Sequence, residues 1–197
     1  RHNLKNKKMS VAISMGGGDA ANNTLQVLKS VIHLQEPTVF WVMLGMGFNH
    51  CYNELVQTTA KTPHHEIILA KTNQNMWHIM SNCVIGIFTG GLTTIESVYA
   101  GLPSINIFQS RRFRDVINPE LFEKGICLDG GDFSDSHLNN ATETLNDINK
   151  NRNKLWELHL TSQCLIDKKG SCRVLEIIEK TNQTHNCKRT RLFKRIA

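Results

Sequence analysis

The sequence predicts an α/β domain built on a Rossmann-like parallel sheet of about six strands, with helices on both faces. Short apolar runs alternate with stretches of helical periodicity along the 197-residue chain, which is typical of a parallel sheet buried between helices. Glycine-rich turns follow two of the apolar runs, as expected where a strand leads into a helix. Hydrophobic residues make up 40% of the chain, enough for the core of one domain.

The apolar runs and turn signals place the elements in order. Strands are predicted at residues 10–15, 38–44, 66–69, 84–88, 104–108 and 125–128. Helices are predicted at 24–33, where Leu25, Leu28 and Ile32 share one face, and at 93–100, which Gly101 and Pro103 bring to an end. Further helices are predicted at 134–150, 151–165 and 171–180, with turns at 130–131 and 168–170.

The net charge of +6 comes from the two ends of the chain. Residues 1–8 and 185–197 carry nine Lys and Arg side chains and no acid, which leaves 14 basic and 17 acidic residues in the rest. A mildly acidic body argues against a nucleic-acid partner. We expect a linker at 1–8, the domain at 9–180 and a basic C-terminal tail at 181–197. The tail is interpreted as a solvated end, with weak contact to an anionic membrane surface as the alternative.

No metal or other cofactor is expected from the cysteine and histidine pattern. The six cysteines form no CxxC pair and no His/Cys ligand spacing. Reduced thiols in a cytoplasmic protein are the simplest interpretation, with Cys83 and Cys127 in the core. His64, His65 and His78 have no suitably spaced partner and are interpreted as surface or packing residues. The sequence has no apolar run long enough for a transmembrane helix.

Two glycine loops lie where α/β sheets bind ligands, beyond the carboxyl ends of strands. Residues 15–19 contain three consecutive glycines after the first strand, and residues 88–96 contain two glycines followed by the hydroxyls of Thr93 and Thr94 after the fourth. Glycines let backbone N–H groups approach a diphosphate, and the following helix N-terminus favours its negative charge. A tight strand-to-helix turn explains the first loop equally well, and it is not a P-loop because no Gly-Lys-Ser/Thr follows.

Glu96 has two interpretations. The spacing Thr93-x-x-Glu96 fits a capping box, in which both side chains satisfy helix N–H groups. A carboxylate at this position also suits the recognition of both ribose hydroxyls of a nucleoside. Spacing alone favours the cap.

Five motifs in order carry a resemblance to a known family: ISMGGGD (13–19), NMxxIM (75–80), TGGxTTxE (89–96), AGLPS (100–104) and LIDxxGSxRV (165–174). From Met9 to Lys180 the chain resembles the C-terminal domain of the UDP-sugar hydrolase of pseudaminic acid biosynthesis and its spore-coat polysaccharide relatives. More distantly it is similar to the N-acetylglucosaminyltransferase that completes lipid II. The resemblance implies the C-terminal half of a GT-B fold, completed by a separate N-terminal domain or partner subunit.

The resemblance also implies a function and a set of site residues. The domain would bind UDP or a UDP-sugar in a hydrolase or glycosyltransferase of surface polysaccharide biosynthesis, with the catalytic base outside this chain. Glu96 would bind the ribose, the backbone around Asn73 and Met76 would face the uracil, and Gln109 would contact the sugar. The Met76 side chain itself is expected in the core. The residues implied for the diphosphate are Gly16, Gly17, Gly90, Gly91, Thr93 and Thr94.

The loop after the fifth strand departs from the family pattern. An Asn-Gln or Gln-Gln pair is usual there, whereas this chain has Gln109 and Ser110 followed by Arg111, Arg112 and Arg114. The arginines could pair with a phosphate or an acidic sugar, and a solvated turn is the alternative. Two other functions stay open: a non-catalytic nucleotide-binding or partner-docking domain that needs a separate N-terminal half, and a domain whose nucleotide site has decayed.

Overall fold

The computed structural model describes residues 8–71, 76–116, 119–133, 138–162 and 166–193, with only the backbone at 119, 138–139 and 182–193. The chain divides into two compact units, Arg1–Leu165 and Ile166–Ala197. No helix in these described ranges has the length and apolar character needed to cross a membrane.

The first unit is built on a six-stranded sheet in which all pairings are parallel. The strands are β1 (Met9–Ser14), β2 (Thr38–Leu44), β3 (Glu66–Lys71), β4 (Ile85–Phe88), β5 (Ser104–Phe108) and β6 (Cys127–Asp132). Their order across the sheet is β3-β2-β1-β4-β5-β6. The order reverses between β1 and β4, where the carboxyl ends of the strands open a crevice.

Helices of the first unit connect these strands and follow the last one. They are α1 (Asn23–Val31), α2 (Tyr52–Thr59), α3 (Met76–Met80), α4 (Leu92–Ala100), α5 (Arg111–Val116), α6 (Pro119–Glu123), α7 (Leu138–Lys150) and α8 (Asn153–Ser162). Helix α7 contacts α1, β5 and β6, whereas α4 contacts β4, β5 and α8. Helices α2, α3, α5 and α6 were not predicted from the sequence.

The hydrophobic core lies on both faces of the sheet. In β1, Val11 and Ile13 belong to a large cluster that includes residues of α1 and α7. Ala12, between them, belongs to a second cluster with Met80 and Phe88. Because successive side chains of a strand point to opposite faces, helices cover both sides of the sheet. The predicted fold class, an α/β Rossmann-like parallel sheet, is therefore confirmed.

Strand β6 lies further along the chain than predicted. The sequence indicated a strand at 125–128 and a turn at Gly130-Gly131, but Gly125 has φ 64° just after α6 and both later glycines lie within β6. A Cβ added to Gly130 would lie 2.8 Å from the Ile105 side chain and 2.9 Å from that of Ile107. The turn prediction was wrong because glycine here serves close packing between strands.

The second unit contains helix α9 (Gly170–Phe193), which extends well beyond the predicted end at residue 180. Its start is organised by Asp167, which accepts hydrogen bonds from the Lys169 N–H at 2.9 Å and from both terminal nitrogens of Arg173 at 3.0 and 2.9 Å. The hydrogen bond from Arg173 lowers the pKa of Asp167 to about 2. The last motif of the family resemblance thus forms a local structure of its own.

Candidate functional site

The two glycine loops lie side by side at the carboxyl edge of the sheet. Strands β1 and β4 are paired, with Ser14 opposite Phe88 at their ends. Neighbouring strands are about 4.8 Å apart, so both loops border the crevice at the reversal of strand order. Gly17 and Gly18 are exposed, and a Cβ added anywhere in 16–18 would meet open space. The first loop is therefore open to a ligand.

Asp19 occupies the N-terminus of α1. Its Oδ1 accepts the Asn23 N–H at 2.7 Å and its Oδ2 accepts the Thr24 N–H at 2.9 Å, while the residue itself is buried. From the sequence, the start of this helix is expected to favour the charge of a diphosphate. That expectation was wrong for α1, because a carboxylate of the chain already fills the position.

The loop after β2 supports the first glycine loop, a contact that the sequence analysis missed. The Gly47 N–H donates to the Gly17 carbonyl at 2.9 Å. Gly45 packs on the same peptide so closely that an added Cβ would lie 2.6 Å from the Gly17 Cα, which leaves no room for a side chain. The His50 Nε2 donates to the Asp19 carbonyl at 2.6 Å. The signal was present as two glycines, spaced by one residue, directly after β2.

Helix α4 begins at the second glycine loop without a side-chain cap. Gly91 is the N-cap and Leu92 the first helical residue, so Thr93 and Glu96 lie inside the helix. The capping-box interpretation was therefore wrong. Within the described part of the chain, the N–H groups of Gly91, Leu92 and Thr93 have no hydrogen-bond acceptor. Free N–H groups and the helix dipole together favour an anion at this helix end.

Gly90 turns the second loop tightly over the sheet. Its φ is +35°, and an added Cβ would lie 2.8 Å from Cζ of the Phe108 ring. Both the backbone conformation and the available space therefore require glycine here. Gly91, by contrast, has φ −95° and would place a Cβ no closer than 3.4 Å to any atom.

Thr94 faces the interior. It is 1% exposed, and its hydroxyl donates to Oδ1 of the fully buried Asn106 at 2.5 Å. The Asn106 Nδ2 donates to the Ser104 Oγ at 3.2 Å, and the Ser104 hydroxyl lies 3.6 Å from the Cys127 sulfur. This buried chain ties α4 to β5 and β6. The Thr94 hydroxyl therefore does not reach the diphosphate loops, contrary to what the resemblance implied, whereas Thr93 is only half-buried.

Glu96 is exposed on α4 and lies at one end of a groove of about 730 Å³ between α3, α4 and α8. Its wall includes the aromatic side chains of Trp77, Tyr99 and Trp156. Cys83, which also lines the groove, precedes β4. The groove therefore extends from Glu96 toward the amino edge of the sheet, away from the glycine loops.

The residues predicted to contact the base and the sugar have different environments. Met76 is half-buried and packs against the second core cluster, as its predicted packing role requires, and its sulfur accepts a hydrogen bond from the Ser14 hydroxyl at 3.9 Å. Gln109 is exposed directly after β5. Asn73 lies outside the described residues.

The arginines of the loop after β5 divide into two kinds. Arg114 forms an ion pair with Asp129, from Nη2 to Oδ2, at 2.5 Å. The other carboxylate oxygen of Asp129 accepts the Gly131 N–H at 2.8 Å. Arg114 therefore has a structural partner on β6, while Arg111 and Arg112 are exposed.

The histidines and cysteines are surface or core residues. His64 and His78 are exposed, His65 is buried, and burial lowers the pKa of His65. Cys83 and Cys127 are buried as predicted, and burial raises the pKa of both thiols, that of Cys83 to about 12. Among the residues placed by the structure, no group of three or more His, Cys, Asp or Glu side chains could hold a metal ion.

Known proteins resemble the chain mainly in structure. No family model matches it. The uncharacterized protein MJ1062 of Methanocaldococcus jannaschii is 27% identical over 114 residues, covering 56% of this chain and 23% of that protein.

Solved GT-B structures match the chain over most of its length. MurG of Acinetobacter baumannii has a TM-score of 0.72 at 18% identity, covering 88% of this chain and 52% of that one. UDP-GlcNAc 2-epimerase of Neisseria meningitidis, bound to UDP-GlcNAc, has a TM-score of 0.61 at 14% identity, and the match covers 91% of this chain and 46% of that one. The glycosyltransferase VinC in complex with dTDP has a TM-score of 0.54 at 10% identity, and the match covers 90% of this chain and 44% of that one. The chain spans about half the length of these structures and has the α/β Rossmann-like fold found in GT-B glycosyltransferases.

Proposed function

We propose that this chain is a nucleotide-sugar-binding domain that holds the diphosphate of UDP or a UDP-sugar between the loops after β1 and β4. The observation that carries this proposal is that the two glycine loops lie side by side at the reversal of strand order, the first with exposed glycines and the second leading into a helix N-terminus that no side chain caps. The residues assigned to the diphosphate are Gly16, Gly17, Gly90, Gly91 and Thr93. Thr94 is left out because its hydroxyl is engaged inside the protein.

The two loops would contribute differently to binding. Helix α4 offers free N–H groups and the positive end of its dipole. At α1 the Asp19 carboxylate takes that place, so the first loop offers only the peptide N–H groups of its glycines. The negative charge of the diphosphate, including the charge that develops when it leaves the sugar, would therefore be stabilised mainly from α4.

The ribose is assigned to Glu96. This carboxylate is exposed and lies four residues beyond Leu92, which corresponds to a rise of about 6 Å along the helix. In a nucleoside diphosphate, the ribose hydroxyls lie at a similar distance from the phosphates. The base would then lie near the start of α3, where the backbone at Met76 is assigned to it and Trp77 offers an aromatic surface. Asn73, which lies outside the described residues, is assigned to the base from the family resemblance.

For the reaction, we propose only a class of enzyme and the source of its catalytic base. Two of the similar structures are bound to UDP-GlcNAc and dTDP, which supports a nucleotide sugar as the ligand class. The family resemblance favours a hydrolase or glycosyltransferase of surface polysaccharide biosynthesis, and the match to about half of MurG supports a glycosyltransferase-like domain. Its catalytic base would come from a separate N-terminal domain or partner subunit, and Gln109 would contact the sugar.

Calorimetric titration tests the proposal with UDP, with ADP and GDP as controls for the base. We expect UDP to bind more tightly than either control, and Glu96→Gln to weaken UDP binding about tenfold, or 1.4 kcal/mol. Glu143→Gln, an exposed carboxylate on α7, is the matched control and should change nothing. With 2′-deoxy-UDP the Glu96→Gln effect should shrink, because one of the two hydroxyls is missing.

Two results would count against the proposal. If none of the nucleotides binds to the folded chain, the assignment of a nucleotide site fails. If Glu96→Gln weakens the binding of UDP and of 2′-deoxy-UDP by the same factor, the nucleotide site is supported but Glu96 does not bind the ribose.

A further inference from the structure

Arg111 and Arg112 lie beside the proposed diphosphate site because of the strand order. They are the first residues of α5, which follows β5, and β5 pairs with β4, with Phe88 opposite Asn106. Paired strands are about 4.8 Å apart, so the loop after β5 borders the loop that carries the free N–H groups of α4. A group that extends from the diphosphate toward this side meets α5 next.

Aromatic packing holds α5 in this position. The Phe113 ring lies 6.4 Å from the Phe108 ring, and the same Phe108 ring packs under Gly90. The Ser110 hydroxyl accepts the Phe113 N–H at 3.3 Å and so closes the turn into the helix. Because the Phe108 ring contacts both α5 and the second glycine loop, the two arginines and the α4 N-terminus lie on neighbouring segments at the same edge of the sheet.

The positive charge of this pair is not balanced within the described residues. Asp129 is used by Arg114 and by the Gly131 N–H. Neither Arg111 nor Arg112 forms an ion pair in the part of the chain that the structure describes, although Asp115 lies on the same short helix. Two exposed guanidinium groups therefore lie at the carboxyl edge of the sheet, in a chain that is mildly acidic apart from its two basic ends.

We propose that the sugar of the bound nucleotide carries a carboxylate and that Arg111 and Arg112 bind it. This inference rests on the proposed function, since it concerns the same site. The diphosphate is assigned to backbone N–H groups of the neighbouring loops, so the arginines are left for the next group along the ligand. A guanidinium matches a carboxylate with two parallel hydrogen bonds, whereas a neutral hexose would leave the charge without a partner.

Calorimetry with UDP, UDP-glucose and UDP-glucuronate tests the inference on the intact chain. UDP-glucuronate should bind about tenfold or more tightly than UDP-glucose, the effect of a hydrogen bond between charged groups. In the double variant Arg111→Gln and Arg112→Gln this preference should vanish, while the affinity for UDP stays unchanged. A charge-matched double variant, Lys150→Gln and Lys154→Gln on exposed positions, should keep the preference.

The outcomes separate the inference from the function on which it rests. If UDP binds but UDP-glucuronate and UDP-glucose bind equally, the inference is overturned and the nucleotide site stands. A preference for UDP-glucuronate that survives the arginine double variant, or that the lysine variant also loses, overturns the role of this pair. If no nucleotide binds, both proposals fall together.

Discussion

Replacing Thr94 with valine separates a structural threonine from a ligand-binding one in the TGGxTTxE motif. The Thr94 hydroxyl and the Asn106 Oδ1 are both buried, and they form a hydrogen bond of 2.5 Å. Valine keeps the shape of the side chain but leaves the Asn106 oxygen without a donor and out of reach of water. Thr93→Val is the matched control, because the neighbouring threonine is half-buried and has been assigned to the diphosphate.

The two variants should fail in different ways. A buried acceptor left without its donor costs about 1–3 kcal/mol. For a domain of this size, that corresponds to a fall in Tm of about 2–12 °C. Thr93→Val should leave the free energy of unfolding within about 0.5 kcal/mol of the parent value. It should instead weaken UDP binding about two- to tenfold, the value of one hydrogen bond.

Thermal unfolding followed by circular dichroism measures the stability, and calorimetry well below Tm measures UDP affinity. Thr94→Val should lower Tm and keep UDP affinity, and Thr93→Val should do the reverse. If Thr94→Val weakened UDP binding more than Thr93→Val and left Tm unchanged, the Thr94 hydroxyl would face the ligand, and the reasoning from its burial would be refuted.

Three further predictions follow from packing and burial. Gly90→Ala should lower the free energy of unfolding by about 1–3 kcal/mol because the added methyl meets the Phe108 ring. Gly91→Ala, whose methyl meets no atom closer than 3.4 Å, should cost less, and equal losses in urea unfolding would contradict this packing. Burial lowers the pKa of His65 from its ordinary value of 6.5. The unfolded chain therefore binds the proton at a higher pH than the folded chain does. As a result, the free energy of unfolding should fall as the pH drops below about 6.5. His65→Gln should flatten that pH dependence, and an unchanged slope in urea unfolding would assign it to other groups. Cys83, with a pKa of about 12, should react with iodoacetamide only after unfolding, which peptide mass spectrometry would check; rapid labelling of the native chain would show that the thiol is accessible.

Much of the fold could be predicted because its signals are local. Strands β2 and β5 were predicted residue for residue, since each is a short apolar run bounded by turn residues. The end of α4 at Gly101 was also predicted, and its φ of 70° is the left-handed conformation that favours glycine at a helix end. Parallel strands then bring the two glycine loops to one edge, because both loops follow the carboxyl ends of their strands.

Residues could not be placed from the sequence where their partners lie far away along the chain or where two local rules compete. Gly45 contacts Gly17 through a fold that neither segment encodes alone. Gly130 has the composition of a turn but lies in a strand, because the isoleucines of β5 pack against it. The spacing of Thr93 and Glu96 fits a cap only if the helix starts after Thr93, whereas α4 starts at Leu92. Helix boundaries are set by the surrounding packing as well as by spacing.

The contacts around the first glycine loop have a consequence for the thermodynamics of binding. The Asp19 carboxylate ties the end of this loop to α1, and the His50 ring and the Gly47 N–H tie it to the loop after β2. A flexible loop would lose conformational entropy when a diphosphate orders it, whereas a loop that is already ordered loses little. We therefore expect the binding enthalpy of a nucleotide to be offset less by ordering of the protein than in sites whose phosphate loop is disordered before binding.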